Sequence, residues 1–435
     1  MTAQSRFPLH DRPRLWGTAV SHYQVEGDDV CDWTDWERLG RTRGGACGPA
    51  VGSWQQYESD ADLASQAGAN AFRFSISWSR VEPRPGQYDD RALDRYRRLI
   101  DHLIDIDIEP IVTLFHYTHP SWFHEKTPWT STRSIERFAQ FTMRVADVLG
   151  DRVRLWMPLN EPLVFLLAGY FDGQIPPGIA DPRLLPKVFD HLLAAHCAAA
   201  AAIRERVPGA AIGVAHNMMA FAPERGSSFL DRLLARVAHR CYNRGVLEAF
   251  ATGRWDFLLP PTTRVRGRRE ELSDSIDFFG VNFYSRLHLR CPGKERLIGE
   301  LRYRDASGRG LTDNGWEIVP QQLEEMLVEA SAVGCPLIVS ENGIADADDR
   351  MRSAFLAEHL AAIGRAESHG VPIHGYLYWS LLDNYEWLDG FGPKFGLYEV
   401  DRRTMARRPR PSIDVFRSLG QEFLGRGVVA GATSQ

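Results

Sequence analysis

Two glutamates stand directly after short apolar runs that lie far apart in the chain. Glu341 follows the run Pro336–Ser340, and Glu161 follows a second run that ends on Asn160, 180 residues earlier. A carboxylate is costly to bury without a partner, so we expect both side chains at the rim of a sheet, facing a site. One such glutamate alone is more often a surface turn residue. Two carboxylates that face each other across a sugar are what the cleavage of a glycosidic bond requires.

Short apolar runs that end in polar residues recur along the chain, with helical patterns between them. The runs are Arg14–Val20, Ala71–Ile76, Pro110–Phe115, Leu155–Leu159, Ala211–Ala215, Asp277–Phe283, Pro336–Ser340 and Ile373–Trp379. The amphipathic patterns between them are Tyr57–Gln66, Arg91–Ile106, Ser134–Leu149, Arg183–Arg206, Phe229–Phe250, Gln321–Ala332 and Met351–Ser368. Eight strands that alternate with helices predict an α/β fold, a closed (β/α)8 TIM barrel of parallel strands.

The length of the chain, 435 residues, would by default suggest two domains. No linker rich in proline, glycine or serine divides the chain, and a barrel with long loops reaches this size. We therefore predict a single catalytic domain over residues 1–435. A short N-terminal extension at about 1–13 and a flexible C-terminal tail at about 425–435 would flank the barrel.

The predicted strands and the loops after them collect reactive side chains. In a TIM barrel the working residues lie at the C-terminal ends of the strands. The side chains found there are Gln24, Arg73, His116, Asn160, Glu161, Asn282, Tyr284, Glu341, Trp379, Glu386 and Trp387. Taken singly, Arg73 could be a core arginine and His116 a structural histidine. Their joint placement predicts an active site at the C-terminal ends of the strands.

The two glutamates can divide the work of a retaining glycosidase. Glu341 would be the nucleophile, kept ionised by Arg73. Glu161 would be the acid and later the base, with its pKa raised by repulsion from ionised Glu341. Asn160 could contact the sugar 2-hydroxyl, and Tyr284 could donate to Glu341 and orient it. Asn282 would support the site from the end of the sixth strand.

Another group of side chains could hold the sugar itself. Gln24, His116 and Glu386 are polar and can bridge adjacent hydroxyls. Trp379 and Trp387 offer flat apolar faces for the C–H face of the ring.

Composition narrows the class of protein and its partners. The formal net charge of −5 is mild for this length, so it gives no reason to expect nucleic acid or an anionic membrane as a partner. The six cysteines are scattered without a CxxC or metal spacing, which indicates reduced thiols and no metal site. The first ten residues lack the apolar run of a signal peptide, and no stretch is long enough to span a bilayer. These features predict a cytoplasmic protein.

Five motifs in order resemble those of glycoside hydrolase family 1, the β-glucosidase-type enzymes. They are Trp16–Gly27, Phe72–Pro83, Asn160–Pro162, Ser340–Gly343 and Trp379–Trp387, and the similarity extends from about Leu15 to about Pro411. The resemblance implies a retaining exo-β-glycosidase without cofactor that takes a small-molecule β-glycoside. Glu386 looks like the version for unphosphorylated sugars, because members acting on 6-phosphosugars typically have serine there. The oligomeric state is left open, and a homo-oligomer fits.

The chain also departs from the family pattern. Tyr117 and Thr118 follow His116 where many members have Trp-Asp, and residues 48–54 replace a commoner stretch. These differences concern the leaving-group side, where we expect Trp122, Phe165, Tyr170, Phe171 and Trp316 to line the rim. The resulting hypothesis is hydrolysis of terminal β-D-glucosyl residues, with galactosyl and fucosyl residues as further candidates. A transglycosidase that uses the same intermediate is the alternative, and a catalytically inactive sugar-binding barrel is a remote one.

Overall fold

The structure is a computed structural model that describes residues 9, 12–259, 263–291 and 300–426. Most of the predicted N-terminal extension and C-terminal tail lies outside these residues, so both stay predictions. The assignment of one domain to the full chain is also a prediction.

Eight parallel strands form a closed barrel. They are β1 (Leu15–Ala19), β2 (Ala71–Ser75), β3 (Glu109–Phe115), β4 (Leu155–Leu159), β5 (Ala211–Asn217), β6 (Phe278–Asn282), β7 (Leu337–Asn342) and β8 (Ile373–Trp379). Their order around the barrel follows the chain, and β8 closes the ring by pairing with β1. The predicted TIM barrel is confirmed. The fifth run is longer than predicted, because β5 continues to Asn217.

Nine helices of eight or more residues pack outside the described barrel. They are α1 (Ser53–Gln66), α2 (Asp90–Asp105), α3 (Arg133–Leu149), α4 (Leu185–Arg206), α5 (Phe229–His239), α6 (Gly245–Thr252), α7 (Pro320–Ala330), α8 (Arg352–Ser368) and α9 (Ser412–Gly425). The pattern predicted as one helix over Phe229–Phe250 is α5 and α6, joined without a break by a π-helical turn at Arg240–Arg244.

Helix α2 shows how the local sequence makes these elements. The side chain of Asp89 accepts from the backbone N–H of Arg91 at 2.9 Å and so caps the first turn. Leu93, Leu99 and Leu103 recur on one face and are buried. The apolar face therefore packs on the barrel, while Asp94 and Arg98 between these positions are exposed.

The core has two layers, because both faces of the barrel strands are buried. Ile111, Leu155, Met157, Ile338 and Leu377 belong to a cluster that fills the barrel interior. A larger cluster fills the space between the strands and the helices. The interior packing supports the floor of the site at the C-terminal end of the barrel.

Loops after the strands build the upper part of the molecule. Short helices at His22–Glu26, Trp78–Val81, Ser121–Lys126 and Pro162–Leu166 follow the first four strands. Another short helix spans Asp32–Arg38. Three small sheets lie outside the barrel: Ala220–Pro223 with Arg286–Arg290 and Glu300–Arg302, Arg254–Leu259 with Thr263–Arg268, and Tyr398–Asp401 with Ala406–Pro409.

The described residues were also compared with what a membrane span and a disulfide bond require. In the part of the chain that the structure describes, no helix combines the length and the apolar character needed to cross a membrane. No disulfide bond links the cysteines of these residues.

Candidate active site

Arg73 forms the floor of the site. It projects from β2, and its guanidinium donates to Thr113 Oγ1 at 3.0 Å, Ser340 O at 3.1 Å, Glu341 Oε1 at 2.7 Å and Asn160 Oδ1 at 2.7 Å. Only 1% of the residue is exposed. Because one planar donor group contacts β3, β4 and β7 together, it fixes the relative positions of the strand ends that carry the two glutamates.

A bulge at the end of β7 aims Glu341 into the barrel. The register with both neighbouring strands shifts after Val339. Alternation along a regular strand would turn Glu341 away from the face to which Ser340 points. Here Ser340 Oγ bonds Asn282 Oδ1 at 2.6 Å while Glu341 reaches Arg73, so both side chains meet the interior. A bulge next to an active site re-aims a side chain in this way.

Glu341 has a charged partner and a neutral one. Its Oε1 accepts from Arg73, and its Oε2 accepts from the Tyr284 hydroxyl at 2.7 Å. Burial raises the pKa of Glu341 to about 7, although the Arg73 charge lowers it, and the nearby Glu161 charge raises it further. Burial also raises the pKa of Tyr284 well above its ordinary value, so this phenol stays a donor. The arrangement matches the predicted partners of Glu341.

The backbone of Glu161 is in the left-handed region, with φ of 47°. This conformation is unusual for a residue with a Cβ and costs about 1–2 kcal/mol. The N–H of Glu161 donates to Ala215 O on β5 at 2.8 Å, and the helix Pro162–Leu166 begins immediately afterwards. These contacts hold the turn that directs the carboxylate towards the centre of the barrel.

The carboxylate of Glu161 has only neutral hydrogen-bond partners. Asn282 Nδ2 donates to its Oε1 at 2.7 Å, and the Tyr117 hydroxyl donates to its Oε2. Burial raises the pKa of Glu161, while hydrogen bonds from Tyr117, Asn282 and Asn217 and, less strongly, the Arg73 charge lower it. We expected repulsion from Glu341 to be the main cause of the raised pKa. Burial is the larger cause, because the residue is only 6% exposed.

The two glutamates lie on one central cavity of about 340 Å³. Of the residues predicted to hold the sugar, all five line it: Gln24, His116, Trp379, Glu386 and Trp387. Asn160 and Tyr284 line it as well, whereas Arg73 and Asn282 lie behind the glutamates and reach the cavity through them. The structure therefore brings together every predicted site residue.

Glu386 and Trp379 form the contact between the eighth strand and the loop after it. The Trp379 indole N–H donates to Glu386 Oε1 at 3.2 Å. Burial raises the pKa of Glu386 to about 8, the indole hydrogen bond lowers it, and the Glu341 charge raises it. Below this pKa the carboxyl group is protonated and can both donate and accept.

His116 and Gln24 are held by neighbouring polar groups. Asn160 Oδ1 accepts from Arg73, so Asn160 Nδ2 is the donor to His116 Nε2 at 3.2 Å. Burial lowers the pKa of His116 well below its ordinary value, so the imidazole is neutral. Gln24 Nε2 donates to Asn384 Oδ1 at 3.1 Å.

Aromatic rings line the cavity on the side of the residues predicted to hold the sugar. The ring of Trp387 stacks on Tyr23 with centroids 5.9 Å apart, and Trp379 stacks against His116 at 6.0 Å. Stacking fixes the orientation of both indoles.

The expected rim was mostly wrong. Trp316 lines the cavity, but Trp122, Phe165, Tyr170 and Phe171 do not. Trp122, Phe165 and Tyr170 are buried in the larger cluster between the strands and the helices, and Phe171 packs against that cluster. The sequence of a segment between a strand and the next long helix does not indicate whether an aromatic residue in it faces the cavity or the core.

Tyr117, Asn217 and Tyr242 are among the cavity residues to which the sequence analysis gave no role. Asn217 ends β5 and accepts from the Tyr242 hydroxyl at 2.9 Å. The strand-end rule would have found Asn217 if the fifth run had been extended by two residues. Tyr117 was visible only as a departure from the family motif. Among the described residues, no group of histidine, cysteine, aspartate or glutamate side chains could hold a metal ion.

Comparisons with known proteins agree with this geometry. The family model "Glycosyl hydrolase family 1" matches residues 4–422. A 1,4-beta-D-glucan glucohydrolase of Thermotoga neapolitana is 31% identical over 426 residues, which covers 90% of this chain and 98% of that protein. The solved beta-glycosidase from Pyrococcus horikoshii is 34% identical with a TM-score of 0.84, covering 96% and 94% of the two chains.

A further solved structure contains a small molecule. The family 1 b-glucosidase from Thermotoga maritima in complex with isofagomine lactam is 28% identical with a TM-score of 0.85, covering 94% of this chain and 98% of that chain. The family model spans nearly the whole sequence, and the neighbours share the barrel. The chain belongs to glycosyl hydrolase family 1 and is a glycoside hydrolase.

Proposed function

We propose that the protein is a retaining exo-β-glycosidase that releases terminal, unphosphorylated β-D-glucosyl residues. The observation that carries this proposal is the unequal support of two glutamates on one cavity. Glu341 touches Arg73, and Glu161 touches only neutral donors. A cation in contact favours the ionised form of Glu341, so a proton shared by the pair resides on Glu161.

The reaction would then proceed by two displacements. Glu341 attacks the anomeric carbon, and Glu161 gives its proton to the leaving-group oxygen. The glycosidic bond breaks, and an ester joins the sugar to Glu341. Glu161 is now a carboxylate and takes a proton from water, which attacks the same carbon and releases Glu341. Two inversions leave the β configuration unchanged.

The lining of the cavity supports an unphosphorylated sugar. Glu386 occupies the position where a phosphate would need cations, and the burial that raises its pKa also makes the surroundings unfavourable for an anionic phosphate. Arg43 stands at the cavity edge, but its guanidinium is paired with Asp389 at 2.7 Å. The name of the Thermotoga neapolitana relative, a glucan glucohydrolase, also favours glucosyl units. Galactosyl and fucosyl residues are the other candidates.

Hydrolysis of a panel of nitrophenyl glycosides tests the proposal. The panel contains the β-glucoside, β-galactoside, β-fucoside, α-glucoside and 6-phospho-β-glucoside. We expect release from unphosphorylated β-glycosides only, and proton NMR of the first-formed product should show the β anomer. An α anomer as the first product would refute retention. Preferred release from the phosphosugar would refute the role of Glu386.

A transglycosidase would form the same ester on Glu341 and pass the sugar to an alcohol. Product analysis with added alcohols separates the two activities, because a hydrolase yields mainly free sugar. No release from any glycoside by folded protein would favour a sugar-binding barrel, although both carboxylates and their partners are in place.

A further inference from the structure

The hydroxyl of Tyr117 stands beside Glu161 in a fixed position. Tyr117 follows β3 with a left-handed backbone, φ of 68°, and is 7% exposed. Its ring meets His116 edge-on with centroids 5.3 Å apart and Trp387 edge-on at 5.3 Å. Its hydroxyl donates to Glu161 Oε2. The ring cannot turn away without disturbing two neighbours, so the hydroxyl keeps its place next to the carboxylate.

A chain of hydrogen bonds determines which group is the donor in the contact between Asn282 and Glu161. Arg73 can only donate, so Asn160 Oδ1 must be the acceptor of their 2.7 Å bond. Asn282 Nδ2 lies 3.2 Å from the same oxygen and is therefore an N–H donor. That amide nitrogen also donates to Glu161 Oε1 at 2.7 Å. Asn282 Nδ2 is therefore always the donor to Glu161 Oε1 and cannot accept a hydrogen bond from it.

The proton of the acid form consequently belongs on the other oxygen. A carbonyl oxygen accepts an N–H better than a hydroxyl oxygen does, so protonated Glu161 keeps Oε1 as the carbonyl and carries hydrogen on Oε2. Oε2 is the oxygen that contacts Tyr117. A phenol can donate to a carboxylate or accept from a carboxylic acid, whereas an amide N–H or an indole N–H can only donate.

We propose that Tyr117 is a positioning residue whose hydroxyl follows the proton of Glu161, accepting from the acid and donating to the carboxylate. The inference rests on the proposed role of Glu161 as acid and base. As Glu161 releases its proton to the leaving-group oxygen, the phenol turns and donates to the new carboxylate. When water returns a proton to Glu161, the phenol turns back. No bond of Tyr117 breaks.

Tyr117 keeps its own proton throughout. Burial raises its pKa well above the ordinary value, and the charge of Glu161 raises it further. The phenol is therefore neutral wherever the enzyme works. Its contribution depends on the orientation of one O–H bond and not on ionisation.

The test is the variant Tyr117→Phe, which keeps the ring and removes the hydroxyl. A hydrogen bond to a charged group is about twice as strong as a neutral one, so the carboxylate form loses more than the acid form. Glu161 should hold its proton to higher pH. We expect the alkaline limb of the kcat/KM profile to rise by about one pH unit. The acid limb, which reports ionisation of Glu341, should stay in place.

Tyr303→Phe is the matched control. Tyr303 also lines the cavity, and its ring packs on Trp316 with centroids 6.1 Å apart. Within the described residues its hydroxyl makes no hydrogen bond to either glutamate, so the alkaline limb should not move. An unchanged limb in Tyr117→Phe, or an equal shift in both variants, would overturn the inference.

A second measurement is independent of turnover. The side-chain carboxyl of Glu161 can be titrated by NMR in protein labelled with carbon-13 at the glutamate carboxyls, with Glu161→Gln to identify its signal. Its midpoint should rise by about one unit in Tyr117→Phe. If the wild-type protein hydrolysed no glycoside, the proposed function would fail while this titration still decided whether Tyr117 controls the proton. An unmoved midpoint in an active enzyme would refute the inference alone.

Discussion

The two glutamates of the site differ in what compensates their charge. Glu341 lies against Arg73, so a full positive charge balances its carboxylate. Glu161 lies against Tyr117 and Asn282, which offer only dipoles. Both residues are buried. Burial alone would push both towards the neutral form, and of the two only Glu341 has the cation in hydrogen-bond contact. Equal sequence surroundings, an apolar run ending in glutamate, thus lead to unequal chemistry.

The substitution with the largest expected effect on this contrast removes the proposed nucleophile. Glu341→Ala leaves no group to form the ester, so kcat should fall by roughly 10⁴- to 10⁶-fold on every active substrate. Steady-state hydrolysis of the best nitrophenyl glycoside measures it. A variant with most of its activity would exclude Glu341 as nucleophile.

The loss of activity on removal of the proposed acid should depend on the leaving group. Glu161→Gln should lower kcat/KM by about 10²- to 10⁴-fold for a leaving group that needs a proton. For dinitrophenol, which leaves without one, the loss should be below about tenfold because the first step needs no acid. Equal losses for both substrates would show that Glu161 does not act as the acid.

Removal of the Arg73 cation should make the surroundings of the two glutamates alike and destabilise the fold. Arg73→Met leaves Glu341 buried without its partner, so the free energy of unfolding should fall by about 3–5 kcal/mol. The deficit should grow as pH rises above the ordinary glutamate range, because the folded variant then holds an unpaired carboxylate that the unfolded chain exposes to water.

Urea denaturation at several pH values measures this effect. Arg97→Met is the control, since Arg97 pairs with Asp151 at the surface at 2.7 Å. Its loss should stay within about 1 kcal/mol. Equal losses of unfolding free energy in the two variants would mean that the buried ion pair contributes no more to stability than the surface pair.

The smallest expected effect compares the two phenols. Tyr284→Phe removes the donor to Glu341 Oε2, so Glu341 should keep its proton to higher pH. The acid limb of kcat/KM should rise by about one pH unit, with the alkaline limb unmoved. Tyr117→Phe should raise the alkaline limb instead and leave the acid limb in place. If either variant moved both limbs together, the two carboxylates would not be separately controlled.

The sequence predicted the barrel and the strand ends well, because hydrophobic runs and helical periodicity are local signals. Glu341 and Arg73 could be paired in advance, since a buried nucleophile needs a cation. The contact between Tyr117 and Glu161 could not be foreseen. It depends on two left-handed backbone turns whose residues are not glycine. Trp122 was misplaced because its sequence position after β3 does not determine on which side of the loop its ring packs.

The contacts of Arg73 have a consequence for the order in which parts of the protein fold. They join β2 to the end of β7, which are separated by 268 positions in the chain. Bringing such distant segments together is entropically expensive, and it comes late when a chain folds through local structure first. The ion pair that orients Glu341 therefore exists only once the ring of strands has closed. Recovery of activity after dilution from denaturant should lag behind recovery of helical signal, and activity itself becomes a report on the last stage of assembly.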